Sequence, residues 1–182
     1  PGVWLLDQTR DQDHHRSVLS FAGEPDAVAE AAFRAIRVAT DLIDLRKHEG
    51  VHPRVGATDV VPFVPVRGAT MQDCIHLAKQ LGQRVGTELE IPVFLYEQAA
   101  LHRDHAPLES VRRGGLQGLA YRMASDPDWT PDFGPPHLHK TAGAMVIGAR
   151  PPLIAFNVNL CSTDLALARS IALEPRAILY DE

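Results

Sequence analysis

Cysteine is scarce in this chain, and long apolar runs are missing. The two cysteines, Cys74 and Cys161, lie far apart in 182 residues and lack the spacing of a metal site. No apolar stretch approaches the roughly 20 residues that a membrane helix requires, and the first residues lack the basic and apolar regions of a signal peptide. We therefore predict a soluble, cytoplasmic protein with reduced thiols and no membrane partner.

An excess of basic residues is also missing. Eighteen Lys and Arg face 23 Asp and Glu, which gives a formal net charge of -5. A surface that coats nucleic acid needs clustered positive charge, so this class of protein is excluded. With 45% hydrophobic and 23% charged residues, and no internal repeat, the composition predicts one globular domain over residues 1–182.

Hydrophobic periodicity predicts strands that alternate with helices. Short apolar runs typical of strands occupy residues 3–6, 18–22, 60–66, 91–96 and 153–160. Apolar residues at helical spacing predict three helices, over residues 25–49, 70–88 and 116–124. Thr70 followed by Asp73 resembles a capping box at the start of the second helix. The alternation predicts an α/β sandwich with helices packed on a sheet, and leaves ferredoxin-like and doubly wound topologies both open.

One junction brings two imidazoles, a carboxylate and a guanidinium into ten residues, H-E-G-V-H-P-R-V-G-A from His48 to Ala57. A proline and two glycines exclude a continuous helix there, and the residue before Pro53 is forced into extended or turn backbone. We therefore expect His52 at the entrance of the strand that begins near Val60. A functional site and an ordinary polar surface loop both fit this pattern.

Four motifs follow one another in a fixed order. D-H-H-R-S-V at residues 13–18 leads to F-A-G-E-P at 21–25, and H-P-R-V-G-A-T-D-V-V-P-F-V-P-V spans 52–66. D-F-G-P at 132–135 comes next, and then a stretch from G-A-R at 148–150 to I-A-F-N-V-N-L at 154–160. In this order the motifs resemble the N-terminal subdomain of the glutamate formimidoyltransferase (formiminotransferase) family. The resemblance runs from about Val3 to about Ala172.

The resemblance implies a fold, a reaction and a set of site residues. The fold is a mixed β-sheet with helices packed on one face. The reaction is the transfer of a formimidoyl group between N-formimidoyl-L-glutamate and tetrahydrofolate in histidine degradation, with folate as co-substrate and no metal. His52 of the His-Pro-Arg motif would act as general acid or base, and Arg16 would belong to the substrate cleft. The family's folate-binding segment maps onto Gly134, Pro135, Pro136, His137, Leu138, His139, Lys140, Thr141, Ala142 and Gly143.

The chemistry of this transfer suits an imidazole. The glutamate amino group must lose a proton before it attacks the amidine-like carbon, and the departing folate nitrogen must regain one. Arg54 lies two residues beyond His52, on the same side if the backbone is extended, where its guanidinium can bind a substrate carboxylate. Arg54 has an alternative role, which is to brace the loop. The alternative role of Arg16 is to form a structural ion pair.

The chain departs from the family pattern in three ways. It begins at what resembles the family's second strand, and nothing in it corresponds to the family's second subdomain. We therefore expect a homo-oligomer or a part of a longer chain. Thr9 stands where the animal enzymes have Asp, with Asp11 and Asp13 close by, so the carboxylate that assists His52 stays open.

Several alternatives remain at this stage. The residues from Asp11 to His15 have metal-ligand chemistry, but adjacent histidines on extended backbone point to opposite faces, so we predict no metal. A formyl donor in place of formimidoyl, or a folate-binding or assembly module without catalysis, also fits the residues. Asn157 and Asn159, on one face of the last predicted strand, are expected to satisfy buried hydrogen bonds or to contact the pterin ring.

Overall fold

The computed structural model describes residues 2–153 and 160–173. The chain divides into two compact units, Pro1–Pro152 and Leu153–Glu182. The first unit contains five strands: β1 (Val3–Asp11), β2 (Arg16–Gly23), β3 (Val60–Phe63), β4 (Val93–Glu97) and β5 (Met145–Ala149). It also contains four α-helices: α1 (Pro25–Leu42), α2 (Met71–Glu88), α3 (Leu108–Arg112) and α4 (Gly115–Ser125). The described part of the second unit contains α5 (Leu165–Leu173).

Two sheets are present in the first unit. β1 and β2 form an antiparallel hairpin, and β3, β5 and β4 form a parallel sheet with β5 in the centre. In the parallel sheet Ile147 of β5 is in register with Val61 on one side and with Leu95 on the other. Parallel strands of one sheet need long crossovers: α2 lies in the connection from β3 to β4, and α3 and α4 lie in the connection from β4 to the central β5.

Helices cover both faces of the parallel sheet. On one face α1 and α2 pack, with Phe33, Leu81 and Val85, against alternate strand residues such as Leu95 and Ile147. On the opposite face Val111 of α3 and Leu119 of α4 join a second cluster with Phe94, Val146 and Trp129. Full burial of each large apolar side chain contributes roughly 1.5–3 kcal/mol to the stability of the folded state. The two clusters therefore hold the parallel sheet between its helices.

The starts of the predicted helices are confirmed, because their signals are local, but the first helix, predicted over residues 25–49, ends at Leu42, where Ile43 already has extended backbone. Thr70 accepts a hydrogen bond from the Asp73 backbone, and the Asp73 side chain accepts one from the Thr70 N–H, which completes the capping box of α2. Pro25 occupies the first turn of α1, where a missing N–H costs nothing. The helix predicted over residues 116–124 corresponds to α4.

The strands differ more from the predictions. The first two strands, predicted over residues 3–6 and 18–22, extend through Asp11 and from Arg16, so only residues 12–15 remain as the turn. Backbone pairing and not burial holds this exposed hairpin together. β5 was not predicted, although it is the central strand, because a short apolar run ending in Gly-Ala has no period of its own. Residues 154–159 of the last predicted strand, with Asn157 and Asn159, lie outside the described residues.

The α/β class with both parallel and antiparallel pairing is confirmed, and the two kinds of pairing lie in separate sheets. The structure adds a helical layer to the face that the resemblance leaves uncovered. Over residues 2–153 and 160–173, no helix is both long enough and apolar enough to cross a bilayer.

Candidate active site around His52

The loop that carries His52 is anchored to the segment leading into β5. The Ala57 N–H donates to the Ala142 carbonyl at 2.9 Å, and the Ala144 N–H donates to the Val55 carbonyl at 2.8 Å. Val55 is fully buried beneath this pairing. At Gly56 a Cβ would lie 1.8 Å from the Ala144 oxygen, so only glycine allows the two backbones to approach this closely. The loop is therefore fixed by the sheet.

The turn of the β1–β2 hairpin packs against the same loop. The Val51 N–H donates to the Asp13 carbonyl at 3.2 Å, and His15 Nδ1 donates to the Glu49 carbonyl at 2.7 Å. Arg54 Nη2 donates to the His14 carbonyl at 3.0 Å. These contacts bring together parts of the chain that lie more than 30 residues apart, as the 34 positions between His15 and Glu49 illustrate.

Four imidazoles gather where the turn meets the loop. The rings of His15 and His48 stack with centroids 4.1 Å apart, and the rings of His14 and His52 meet edge to face at 6.1 Å. Burial, followed by the charges of His15 and Arg54, lowers the pKa of His48. In the described parts of the chain, no three His, Cys, Asp or Glu side chains converge as a metal site requires.

His52 lies in a partly buried, positively charged setting. Burial is the main cause that lowers its pKa, and the positive charges of Arg112 and Arg16 lower it further, while Asp59 opposes them. An imidazole with a lowered pKa is neutral at pH 7 and can accept a proton. The arrangement therefore favours His52 as a proton acceptor.

The structure assigns different surroundings to the two predicted substrate arginines. Arg54 donates from Nε to the His52 carbonyl at 3.3 Å and from Nη2 to the His14 carbonyl, so it braces the loop. Its Nη1 has no hydrogen-bond partner among the described residues. Arg16 is exposed at the start of β2, near enough to His52 to act on its charge.

Arg112 is the residue near His52 that sequence reasoning missed. It pairs with Asp59, whose Oδ1 also accepts from the Val55 N–H at 2.7 Å. Asp59 has a left-handed backbone with φ of 58°, an uncommon conformation for a residue other than glycine. The two residues lie 53 positions apart in the chain, so no short-range sequence pattern predicts that they pair. Beside it lies an open groove of about 330 Å³ lined by Pro53, Leu108, Glu109, Arg112 and Arg113.

The segment predicted to bind folate starts at β4 and ends at the His52 loop. Asp132, whose side chain is fully buried, accepts from the Leu95 N–H at 2.6 Å, and the Val93 N–H donates to the Phe133 carbonyl at 2.9 Å. At the far end Ala142 pairs with the His52 loop as described above. The segment therefore connects the sheet to the candidate site.

A cavity of about 620 Å³ lies along this segment. Its lining consists of Pro135, His137, Leu138, His139 and Lys140 together with Gly86, Thr87 and Glu90. Five of the ten predicted residues thus face one cavity, and the end of α2 forms its other wall. His139 Nδ1 accepts from the Ala142 N–H at 3.0 Å, which assigns the ring proton to Nε2.

Comparison with known proteins identifies the same family that the ordered sequence motifs resemble. A family model described as the formiminotransferase domain, N-terminal subdomain, matches residues 1–150. Glutamate formimidoyltransferase of Streptococcus pyogenes serotype M1 is 45% identical over 172 residues, 94% of this chain and 57% of that protein. The protein named glutamate formimidoyltransferase in Thermoplasma acidophilum is 44% identical over 176 residues, 96% of this chain and 58% of that protein.

A longer relative shares the same region. Formimidoyltransferase-cyclodeaminase of Rattus norvegicus is 47% identical over 163 residues, which cover 90% of this chain and 30% of that protein. Across these three relatives the chain spans between 30% and 58% of their length. The family model covers most of the chain, and both the fold class and the motifs agree with it. The chain therefore belongs to the formiminotransferase family, and its residues 1–150 match the family's N-terminal subdomain.

Proposed function

We propose that this chain provides the His52 side of an active site for glutamate formimidoyl transfer, with tetrahydrofolate as co-substrate, in histidine degradation. The observation that carries the proposal is the setting of His52 in the family's His-Pro-Arg motif. Its ring is partly buried between a fixed loop and the hairpin turn, beside two arginine charges that lower its pKa. A neutral imidazole is therefore available where the chemistry needs a base.

The proposed mechanism needs one proton removed and one supplied. In the direction toward folate, the folate nitrogen attacks the formimidoyl carbon and gives its proton to the His52 imidazole. Collapse of the tetrahedral intermediate breaks the bond to the glutamate nitrogen, which takes up a proton as it leaves. The two nitrogens exchange these roles in the reverse direction. General acid-base catalysis of this kind contributes typically about 10²- to 10⁴-fold in rate.

Positive charge around His52 suits the two carboxylates of formimidoyl-glutamate. Arg16 is exposed beside the ring, and we assign it to a substrate carboxylate. Arg54 uses two of its nitrogens to brace the loop and has Nη1 left for the substrate. A carboxylate between two guanidinium groups accepts charge-assisted hydrogen bonds, which orient the substrate as well as attract it.

Folate is assigned to residues 134–143. The cavity along this segment combines flexible glycine, stiff proline and the Nε2–H donor of His139 with the cation of Lys140. Folate carries a flat ring at one end and an anionic glutamate tail at the other. We infer that the backbone and His139 approach the ring system and that Lys140 faces the tail.

The unit is proposed to function as part of a longer chain or as a homo-oligomer. Its relatives are longer, and Trp4, Leu5 and Leu6 of β1 are 64%, 61% and 67% exposed. Apolar side chains along an unpaired strand edge are usually covered by another segment or chain. Because Cys74 and Cys161 are both unpaired thiols, we also propose a reducing, cytoplasmic location.

Turnover of N-formimidoyl-L-glutamate with tetrahydrofolate tests the proposal. The assay compares this chain alone with the chain plus a candidate partner, and it includes a formyl donor beside the formimidoyl donor. Turnover with the formimidoyl donor supports the proposal. Faster turnover with the formyl donor would identify the formyl compound as the substrate instead. Folate binding by calorimetry without turnover in any combination contradicts catalysis and favours a folate-binding module.

A further inference from the structure

At the hairpin turn, the carboxylate of Asp11 forms hydrogen bonds with both the backbone and the ring of His14. One oxygen of Asp11 accepts from the His14 backbone N–H at 2.7 Å and from the His14 ring at Nδ1, 2.8 Å away. The backbone hydrogen bond and then the ring lower the pKa of Asp11, so it is an acceptor-only carboxylate at neutral pH. The proton must therefore lie on Nδ1, and Nε2 is the nitrogen that can exchange a proton.

The pair faces His52. The ring of His14 lies with its centroid 6.1 Å from that of His52, and the two planes meet at 61°. Nε2 of His14 has no protein partner in the part of the chain that the structure describes, and the ring is partly open to solvent. A substrate atom that reaches His52 therefore lies within reach of a second imidazole.

The turn is held in this place by the loop. Arg54 Nη2 donates to the His14 carbonyl at 3.0 Å, and the Val51 N–H donates to the Asp13 carbonyl at 3.2 Å. At Gly50 a Cβ would lie 2.8 Å from His15 Cβ and 2.9 Å from the His14 oxygen, so the two segments are in close contact. The charged and titratable groups around His14 are Asp11 on β1, Asp13 and His15 in the turn, His52 and Arg54 on the loop, and Arg16, whose backbone is the strand-register partner of Asp11.

We propose that His14, oriented by Asp11, is a second proton-transfer residue of this site and works opposite His52. The inference rests on the proposed function, since a transfer between two amines needs one proton removed and one supplied. Two imidazoles in different settings can divide these tasks, one as base and one as acid. His52, with two cations nearby, is suited to be the base, and His14, whose Nδ1–H is held by Asp11, presents Nε2 for the proton transfer to the leaving nitrogen.

The protons balance in this scheme. The folate nitrogen forms the new bond to the formimidoyl carbon and passes its proton to neutral His52. The bond between that carbon and the glutamate nitrogen then breaks, and the leaving nitrogen takes the proton from Nε2 of protonated His14. After release, His52 returns its proton to solvent and His14 regains one, with Asp11 as the adjacent anion throughout. Asp11 is a positioning residue, because it acts through His14.

The test compares pH profiles of His14→Asn, Asp11→Asn and His76→Asn in the preparation that turns over formimidoyl-glutamate. His76 is an exposed histidine on α2 and serves as the matched control. His14→Asn is expected to lower kcat about 10²-fold, the lower end for acid-base catalysis, and to remove the alkaline limb of the profile. KM is expected to change less than about twofold, and His76→Asn is expected to match the wild type. Asp11→Asn keeps a hydrogen-bond acceptor without its charge and should alter the same limb while KM changes less than about twofold.

Circular dichroism and a urea melt on each variant establish that the fold is retained. Nitrogen-15 spectra of the ring are expected to report protonated Nδ1 in His14, and an Nε2–H tautomer would overturn the inference. A His14→Asn variant that retains both limbs and the wild-type rate, while His52→Ala is inactive, overturns the role of His14 alone. A wild-type preparation without any turnover overturns the proposed function and this inference together.

Discussion

Arg112 of α3 forms a charged hydrogen bond with Asp59, 53 positions earlier in the chain. Through this pair α3 is joined to the loop that carries His52. The two charges act on His52 in opposite directions, since Arg112 lowers the pKa of the imidazole and Asp59 raises it. The proton affinity of His52 therefore depends on a contact made only in the folded chain.

Arg112→Met should move the pH dependence of the reaction. A cation disfavours the imidazolium, so its removal raises the pKa of His52, and an unpaired Asp59 raises it again. The acid limb of kcat/KM, which lies below the ordinary value of about 6.5, should move upward toward it. Arg113→Met is the matched control, because Arg113 is the neighbouring exposed arginine and is not among the charges that shift His52. An unchanged limb in Arg112→Met would remove Arg112 from the site.

His52→Ala tests the general base directly. We expect most turnover to be lost, roughly 10²- to 10⁴-fold, because no other group replaces the imidazole in the same place. Folate binding by calorimetry should stay within about tenfold, since the lining of the folate cavity does not include His52. The wild-type rate across neutral and mildly alkaline pH in this variant would refute the assignment.

Lys140→Ala probes the orientation of folate. A solvent-facing cation gains from each added negative charge and is screened by salt. The variant should therefore lose more affinity for a polyglutamate folate than for the monoglutamate, and more at low salt. Lys79→Ala removes the same charge from α2 outside the cavity lining and should leave both affinities unchanged. Equal losses for the two ligands would mean that Lys140 does not meet the tail.

Gly143→Ala should destabilise the loop that carries His52. A Cβ there would lie 2.4 Å from the Val55 oxygen, and the residue has φ of 71°. Gly68→Ala is a matched control, because Gly68 has φ of 85° but open space around it. The strained backbone costs about 1–2 kcal/mol at both positions, and the clash adds about 1–3 kcal/mol at Gly143 alone. Urea unfolding measures the difference, and equal losses would show that the loop moves freely.

The hairpin is predicted to contact another chain or segment. Leu6→Lys with Leu19→Lys places charge on two exposed apolar positions of β1 and β2. If the chain assembles through the hairpin, light scattering should give a smaller mass for the double variant. Leu42→Lys at the exposed end of α1 is the control and should leave the mass unchanged. A chain that is monomeric before substitution, with mass spectrometry confirming its length, would contradict self-association.

Much of the helical structure and the family were predictable from sequence. The capping box at Thr70, the proline that opens α1 and the motif around His52 depend on residues close together in the chain. The partners of such short-range hydrogen bonds are only a few residues apart, so a sequence motif is enough to predict them. The ordered motifs likewise identified the formiminotransferase family before any fold was known.

The tertiary structure decided how those pieces meet. It placed β5 at the centre of the sheet, although a five-residue apolar run carries no sign of its neighbours. It directed Arg54 to the carbonyls of His52 and His14, and brought Arg112 to Asp59 beside His52. These contacts join residues up to 53 positions apart, and only the packing of helices on both faces of the sheet brings such partners within hydrogen-bond distance. The sequence by itself therefore determined which chemical groups are present, and the fold decided which of them act on one another.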